Sequence, residues 1–187
     1  MRVIPFQKNT VALTTFAMIA ALGFVVRLTI KFTVIPELVE ITPAFIFSLL
    51  GGIIGGIPGG VFVGSIVGLS GAMGGGEFPL VPLVGNILLG VGTGIAIHLN
   101  SNRDSMNYSL MAILGGGIIG GFIADMIIMM PILGFPLEGA LPVSIVDMVM
   151  AFIWASVAIV IERKLIRPII GQYLYSEESE SIQELDD

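Results

Sequence analysis

Long apolar runs separated by short polar links set the pattern of this chain. Stretches near the ~20 residues needed to cross a bilayer occupy about 10–31, 38–56, 58–73, 79–99, 108–130 and 142–166. The second and third are short and meet at the proline–glycine punctuation Ile57–Gly60. Two helices, about 41–56 and 58–72, are therefore expected to fold against each other across a tight turn at Pro58. From Thr42 to Ala72 there is no charge, and Gly56, Gly60, Gly64, Gly68 and Ala72 fall four residues apart. Residues at that spacing stack along one helix face, which predicts a ridge without side chains from Gly60 onward. In lipid, apolar side chains gain little by meeting one another, whereas such ridges let helix backbones approach closely. The ridge is the expected seam of the fold.

Composition agrees with the pattern. Only 12% of the residues are charged, against about a quarter in soluble domains, and the mean hydropathy is +1.00. The 25 glycines sit inside apolar runs, where membrane helices tolerate them. No cysteine is present, so disulfides, thiolate metal sites and cysteine nucleophiles are excluded. The net charge of -6 comes from Glu177, Glu178, Glu180, Glu184, Asp186 and Asp187. The remaining acids balance the Lys and Arg residues, and the tail reads as a solvated, disordered appendage. Arg2 and Lys8 precede an apolar run from about Val11 to Val26. That run is long for a signal peptide and lacks an A-x-A site, so it reads as an uncleaved first helix.

Six spans would put both termini on one side. With the N-terminus inside, the inner segments hold Arg2, Lys8, Arg103, Arg163, Lys164 and Arg167, and the outer ones only Arg27 and Lys31. That split obeys the positive-inside rule, and merging spans two and three worsens it. The expectation is an all-α integral membrane protein with six transmembrane helices, N-in and C-in, over residues 1–168. An acidic cytoplasmic tail, 169–187, follows. The string Gly51-Gly-Ile-Ile-Gly-Gly56 recurs as Gly116-Gly-Ile-Ile-Gly-Gly121. An inverted duplication is one reading; recurrent small-residue packing is the plainer one.

A charge at mid-helix costs about 2.5–3.5 kcal/mol on insertion scales, so each polar residue in a span needs a reason. They gather toward the outer side: Arg27, Lys31, Glu37, Glu40, Glu77, Asn86, Asp125 and Asp147. The inner half has almost none until His98 and Glu162. A channel would carry polar lining throughout, and a proton pump a relay across the middle. A polar cup above an apolar floor describes a binding site. Glu37, Glu40 and Glu138 read as interfacial. Arg27 and Lys31 either snorkel to the interface or meet a ligand. Asn86 shares a face with Gly90 and Gly94, and Asp125 shares one with Gly117 and Gly121. Asn86, Asp125 and Asp147, with Glu77 and Arg27, are the candidate substrate-binding residues, an Arg27–Asp salt bridge being the purely structural alternative.

This arrangement resembles the substrate-binding S components of energy-coupling factor (ECF) transporters. Helix one contains Ala17-Met-Ile-Ala-Ala21, which matches the A-x-x-x-A docking motif of that family. The run I-T-P-A-F-I-F-S-L-L-G-G-I-I-G-G-I-P-G-G-V-F-V-G (41–64) is similar to its small-residue inner turn. The likeness covers about residues 10–168. It implies an outward-facing site for a vitamin-like molecule among the last three helices and the outer loops. It also implies a transmembrane coupling subunit against Ala17 and Ala21, and partner ATPases that supply the energy, consistent with the lack of a G-x-x-x-x-G-K-[ST] loop. The toppling of the bundle that moves the site inward is likewise implied by the family. No cofactor, no chemistry of its own and no nucleic-acid partner are expected, and the location implied is the cell membrane.

Other readings are a self-contained transporter, a structural membrane protein or an intramembrane serine protease. The last starts from Gly68-Leu-Ser-Gly71, but the single histidine, His98, belongs at the opposite membrane face from Ser70. A nucleophile needs its base within hydrogen-bond reach. Asp125, Asp147 and Glu77 could meet on a hard cation, although one histidine and scattered acids make no transition-metal set. Phe78, Phe122 and Phe135 could offer ligand contact, and Trp154 lies deep in the last helix. The acids favour a cationic or donor-bearing ligand, whereas Arg27 and Lys31 suit a carboxylate. The sequence leaves that choice open.

Overall fold

The computed structural model describes residues 5–35, 39–74 and 78–175. Five helices among them are long and apolar enough to cross a membrane: α1 (Thr10–Thr29), α2 (Phe45–Gly74), α3 (Leu80–Leu99), α4 (Met106–Ile132) and α5 (Leu137–Leu174). An antiparallel hairpin of β1 (Phe32–Ile35) and β2 (Val39–Ile41) joins α1 to α2, with Phe32 opposite Ile41 and Thr33 opposite Glu40. Gln7 N donates to Leu174 O at 2.8 Å. The start and finish of the described chain thus share one end of the bundle, the terminal end, and the β-hairpin marks the other.

The break anticipated near Pro58 is present. Gly56 has φ 62° and ψ -154° within α2, a left-handed conformation that a glycine tolerates. Beyond it the chain reverses. A Cβ on Gly51 would collide with Gly59 O and with the Val63 side chain, yet a straight helix would hold Gly51 and Val63 about 18 Å apart. The halves 45–55 and 57–74 therefore lie side by side, and the turn of the chain sits at the terminal end.

The glycine ridge is the seam between α2 and α3. Gly60 abuts the Gly90 backbone, Gly64 that of Asn86, and Gly68 that of Pro82 and Leu83. Gly94 in turn meets the backbone of Gly56. A side chain at Gly60 or Gly90 would have to displace main chain. The second glycine string packs differently. Gly115 meets Gly92 of α3, Gly117 meets the Phe152 ring, and Gly121 meets the Asp147–Met148 backbone of α5. Moreover, residues Gly115–Ile123 and Ile128–Ile132 of α4 are wound as π-helix. One string breaks a helix and the other widens one, so the shared letters do not carry a shared backbone. Outward faces are apolar: Leu13, Met18, Leu22 and Val25 on α1, and Val149, Ile153 and Val160 on α5 are exposed. A patch of that extent suits lipid rather than water. The chain is a multi-pass membrane protein.

Several sequence boundaries move. The second apolar helix does not begin at 38: residues 39–41 are strand, and α2 starts at Phe45. Pro43 stands in the turn just before the helix, where its missing N–H is tolerated, and Thr42 Oγ accepts from Ala44 N at 3.2 Å. Glu40 therefore lies in β2 rather than in a helix, and Glu37 falls outside the described residues. The last helix begins at Leu137 instead of 142 and continues to Leu174, past the boundary drawn at 168. Residues 176–187 lie outside the described residues.

Candidate functional site

At the hairpin end, α1, α2, α3, α4 and α5 surround a cavity of about 40 Å³. Its polar walls are Arg27 of α1, Asn86 of α3, Asp125 of α4 and Asp147 of α5. Phe45, Val81, Leu89 and Ala151 supply apolar surface, and Gly85, Gly120 and Gly121 thin the walls. Four of the five candidate binding residues thus come together. The fifth, Glu77, falls outside the described residues.

Arg27 settles the choice between snorkelling and an inward role. It is 2% exposed, so it points into the bundle. Two features of the sequence let it do so. Gly71 has no side chain where a Cβ would press on the Arg27 Nε, and Phe45 opens α2 with its ring 5.2 Å from the guanidinium carbon. Arg27 also occupies the last turn of α1, where the helix dipole favours a cation. Lys31 takes the other course and donates to Gly74 O at 3.3 Å, outside the cavity wall.

Asp125 is buried and Asp147 half-buried. The two carboxyls lie within hydrogen-bonding reach of each other, and the Arg27 charge acts on Asp147. Asp125 sits in the short α-helical turn Ala124–Ile127 between the two π segments. Each i→i+5 turn changes the face that follows it, so the winding of α4 sets where this carboxylate lies. Gly121 next to it lets α4 approach the backbone at Asp147. Asn86 is partly spoken for. Its Oδ1 accepts from Ser48 Oγ at 2.8 Å and its Nδ2 donates to Pro82 O at 2.8 Å. It ties α3 to α2 and offers the cavity only what those bonds leave.

The aromatic side chain at the cavity is not one of the three that the sequence suggested. Phe78, Phe122 and Phe135 do not line the cavity, whereas Phe45 does. Phe78 is exposed, and Phe135 packs with Met129, Ala140 and Val143 in a separate small core. Phe45 carried one usable clue, its place at the first helical position after Pro43. The protease reading finds no support in the geometry around Ser70, whose Oγ is buried and donates to Val67 O at 2.7 Å. Among the described residues, no three His, Asp or Glu side chains converge as a metal site would need.

The terminal end holds a second polar cluster, which sequence reasoning missed. Breaking α2 at Gly56 leaves the carbonyls of Ile53 and Ile54 without helical donors. Arg103, from the loop after α3, donates to both, at 3.2 Å for Ile54, and its guanidinium lies 4.1 Å from the Tyr175 ring. Tyr108 donates to Ile53 O at 3.1 Å. Glu162 is buried and takes both a bidentate pair from Arg167, at 2.8 Å each, and the Tyr175 hydroxyl at 2.7 Å. Burial pushes the Tyr175 phenol well above its ordinary range, the nearby Arg103 charge opposing. Arg167 also pairs with Asp104, and Arg163 donates to Arg103 O at 2.6 Å and Ser109 Oγ at 2.7 Å.

No family profile and no curated protein sequence matches the chain. A solved structure does: an S-component for biotin from an ECF-type ABC transporter superposes with a TM-score of 0.65. The match covers 82% of this chain and 89% of that one, at 17% sequence identity. Identity that low carries the fold alone. The bundle of this chain is similar to that of an ECF S component.

Proposed function

We propose that the chain is the substrate-binding subunit of an ECF-type importer, which captures a small vitamin-like molecule in the cavity at the hairpin end. The observation that carries this reading is the convergence of Arg27, Asp125 and Asp147 from three helices on one cavity inside an S-component fold. Ionisable groups within membrane helices are costly, and where they converge on a cavity they mark a substrate path or site. At about 40 Å³ the cavity holds a few waters. A vitamin-sized ligand would enter only as the wall at the hairpin end opens.

On this reading the two halves of α2 count as separate passes, giving six, and the hairpin end faces outward. Lys8, Arg103, Arg163, Lys164 and Arg167 then lie on the inner side, in keeping with the positive-inside rule. Ala17 and Ala21 are exposed on the outer face of α1 beside Leu13, Met18 and Leu22. They form a smooth strip on which a transmembrane coupling subunit would dock, and the ATPase subunits bound to it would supply the energy. The protein itself performs no chemistry.

Retrieval of the tagged full chain from its native membranes in mild detergent tests the proposal. Coupling and ATPase subunits should come with it, and Ala17→Trp combined with Ala21→Trp should lose them while the bound small molecule stays. Uptake into liposomes by the purified chain alone would show a self-contained transporter and sink the reading.

A further inference from the structure

The outward apolar face of α5 does not stop where the charged residues begin. Val149, Ile153, Val157 and Val160 are exposed at intervals of four, four and three, the spacing of one helix face. Leu165, Ile169 and Tyr173 are exposed at intervals of four. From Val160 to Leu165 the interval is five, and Glu162–Ile166 is wound as π-helix, whose bonds run i→i+5. The extra residue of that turn keeps the second row close to line with the first. The lipid-facing stripe of α5 thus runs on to Tyr173.

The inner face of the same segment is committed to the bundle. Leu174 and Tyr175 are buried in the main core, and Ile166 and Ile170 pack against it. The Tyr175 hydroxyl donates to Glu162 Oε1 at 2.7 Å, 13 residues away. A straight helix would part those residues by about 20 Å, farther than their side chains reach. The segment after Glu162 therefore bends across the terminal end. Pro168, with no N–H for the carbonyl four residues back, stands at the start of the last helical stretch, Arg167–Leu174. Gln7 Nε2 donates to Tyr175 O at 3.2 Å and Asn9 Nδ2 to Tyr173 O at 2.8 Å, which holds the bent segment down.

The charges set its level in the bilayer. Leu137–Ile161 alone has 25 residues, enough to cross. Glu162, Arg163, Lys164 and Arg167 mark the border beyond it, since charge is costly deeper in. Had α5 run straight on, Ile169, 72% exposed, and Tyr173 would stand in water. Lys164 and Gln172 are exposed beside the stripe, a polar flank such as interfacial helices present. Tyrosine is among the residues that membrane interfaces favour.

We propose that Leu165, Ile169 and Tyr173 form an interfacial anchor. The last turns of α5 lie in the membrane plane, with this stripe in the headgroup–acyl boundary of the phospholipid and Lys164 on a headgroup phosphate. Asn9 is bonded to the same turns and caps α1 through Ala12 N. The anchor therefore also fixes the depth at which α1 starts.

Fluorescence of the full-length chain in phospholipid vesicles tests this. Trp154, the single tryptophan, is changed to Phe, and Tyr173→Trp or, in a second protein, Ile169→Trp supplies the reporter. Lipids brominated high on the acyl chain should quench either reporter at least about twofold more than lipids brominated at the chain ends, since the stripe enters only ~5–10 Å. Adding Ile169→Asp to the Tyr173→Trp protein should shift the emission to the red and remove most of the quenching. Strongest quenching from the chain ends would place the segment inside the span and overturn the proposal. Emission of an indole in water, quenched by iodide and by neither lipid, would overturn it and leave this face to a protein partner. Quenching that survives Ile169→Asp would overturn the stripe as the anchor.

Discussion

The two ends of the bundle both bury charge, and they do so for different ends. At the terminal end, Arg103, Glu162, Arg167, Tyr108 and Tyr175 are knitted by direct hydrogen bonds, and Arg103 completes the carbonyls that the Gly56 break exposes. Every contact there joins one part of the chain to another. At the hairpin end, Arg27, Asp125 and Asp147 surround a cavity walled by glycines. The difference teaches how to separate a structural cluster from a site in a membrane protein. Burial of charge alone does not mark function; on the proposed reading, burial of charge around space does.

The comparison can be broken by substitution, with thermal unfolding in detergent and ligand affinity as the two readouts. The largest loss of stability is expected from Glu162→Ala, which leaves Arg167 with Asp104 alone and takes the acceptor from the buried Tyr175 hydroxyl. Breaking a buried pair costs about 3–5 kcal/mol, and ligand affinity in the folded fraction should not change. Arg103→Gln removes the charged cap on Ile53 and Ile54 and should cost about 1.5–3 kcal/mol, again without touching affinity. Asn86→Ala sits on the border between the two regions. It loses the bonds to Ser48 and Pro82, about 1–2 kcal/mol, and should alter affinity only modestly. Gly85→Leu should leave stability within about 1 kcal/mol while removing ligand binding, since a Cβ there meets nothing within 4 Å. Should stability collapse with Gly85→Leu, or affinity with Arg103→Gln, the division between structural end and binding end would be mistaken.

Much of this division was legible in the sequence, and the residues show why the rest was not. The apolar runs and the four-residue glycine spacing fixed the helices and the α2–α3 seam, because close backbone approach depends only on what is absent at Gly60, Gly64 and Gly68. Asp125 and Asp147 stood out because a membrane span has few reasons to hold a carboxylate. The direction of Arg27 was not legible. It depends on the gap at Gly71, over forty residues away, and near a helix end a long cation can turn either way. Arg103 read as an ordinary loop charge, since its partners are main-chain carbonyls and have no letter in the sequence. Yet Gly56 with Pro58 announces a broken helix, and a broken helix needs donors for its last carbonyls. The β-hairpin was hidden by glutamates that suggested a helix entrance. The π-wound turns of α4 have no sequence pattern, as the repeated Gly-Gly-Ile-Ile-Gly-Gly string shows by adopting two backbones.

The central claim is that the cavity between Arg27, Asp125 and Asp147 holds the ligand. It is tested most directly by mass spectrometry of the small molecules released from gently purified wild-type protein and from Gly85→Leu, side by side. A compound present in near-stoichiometric amount in the wild type and missing from the folded variant is the predicted result. The same compound retained in both proteins would place the ligand elsewhere and contradict the account.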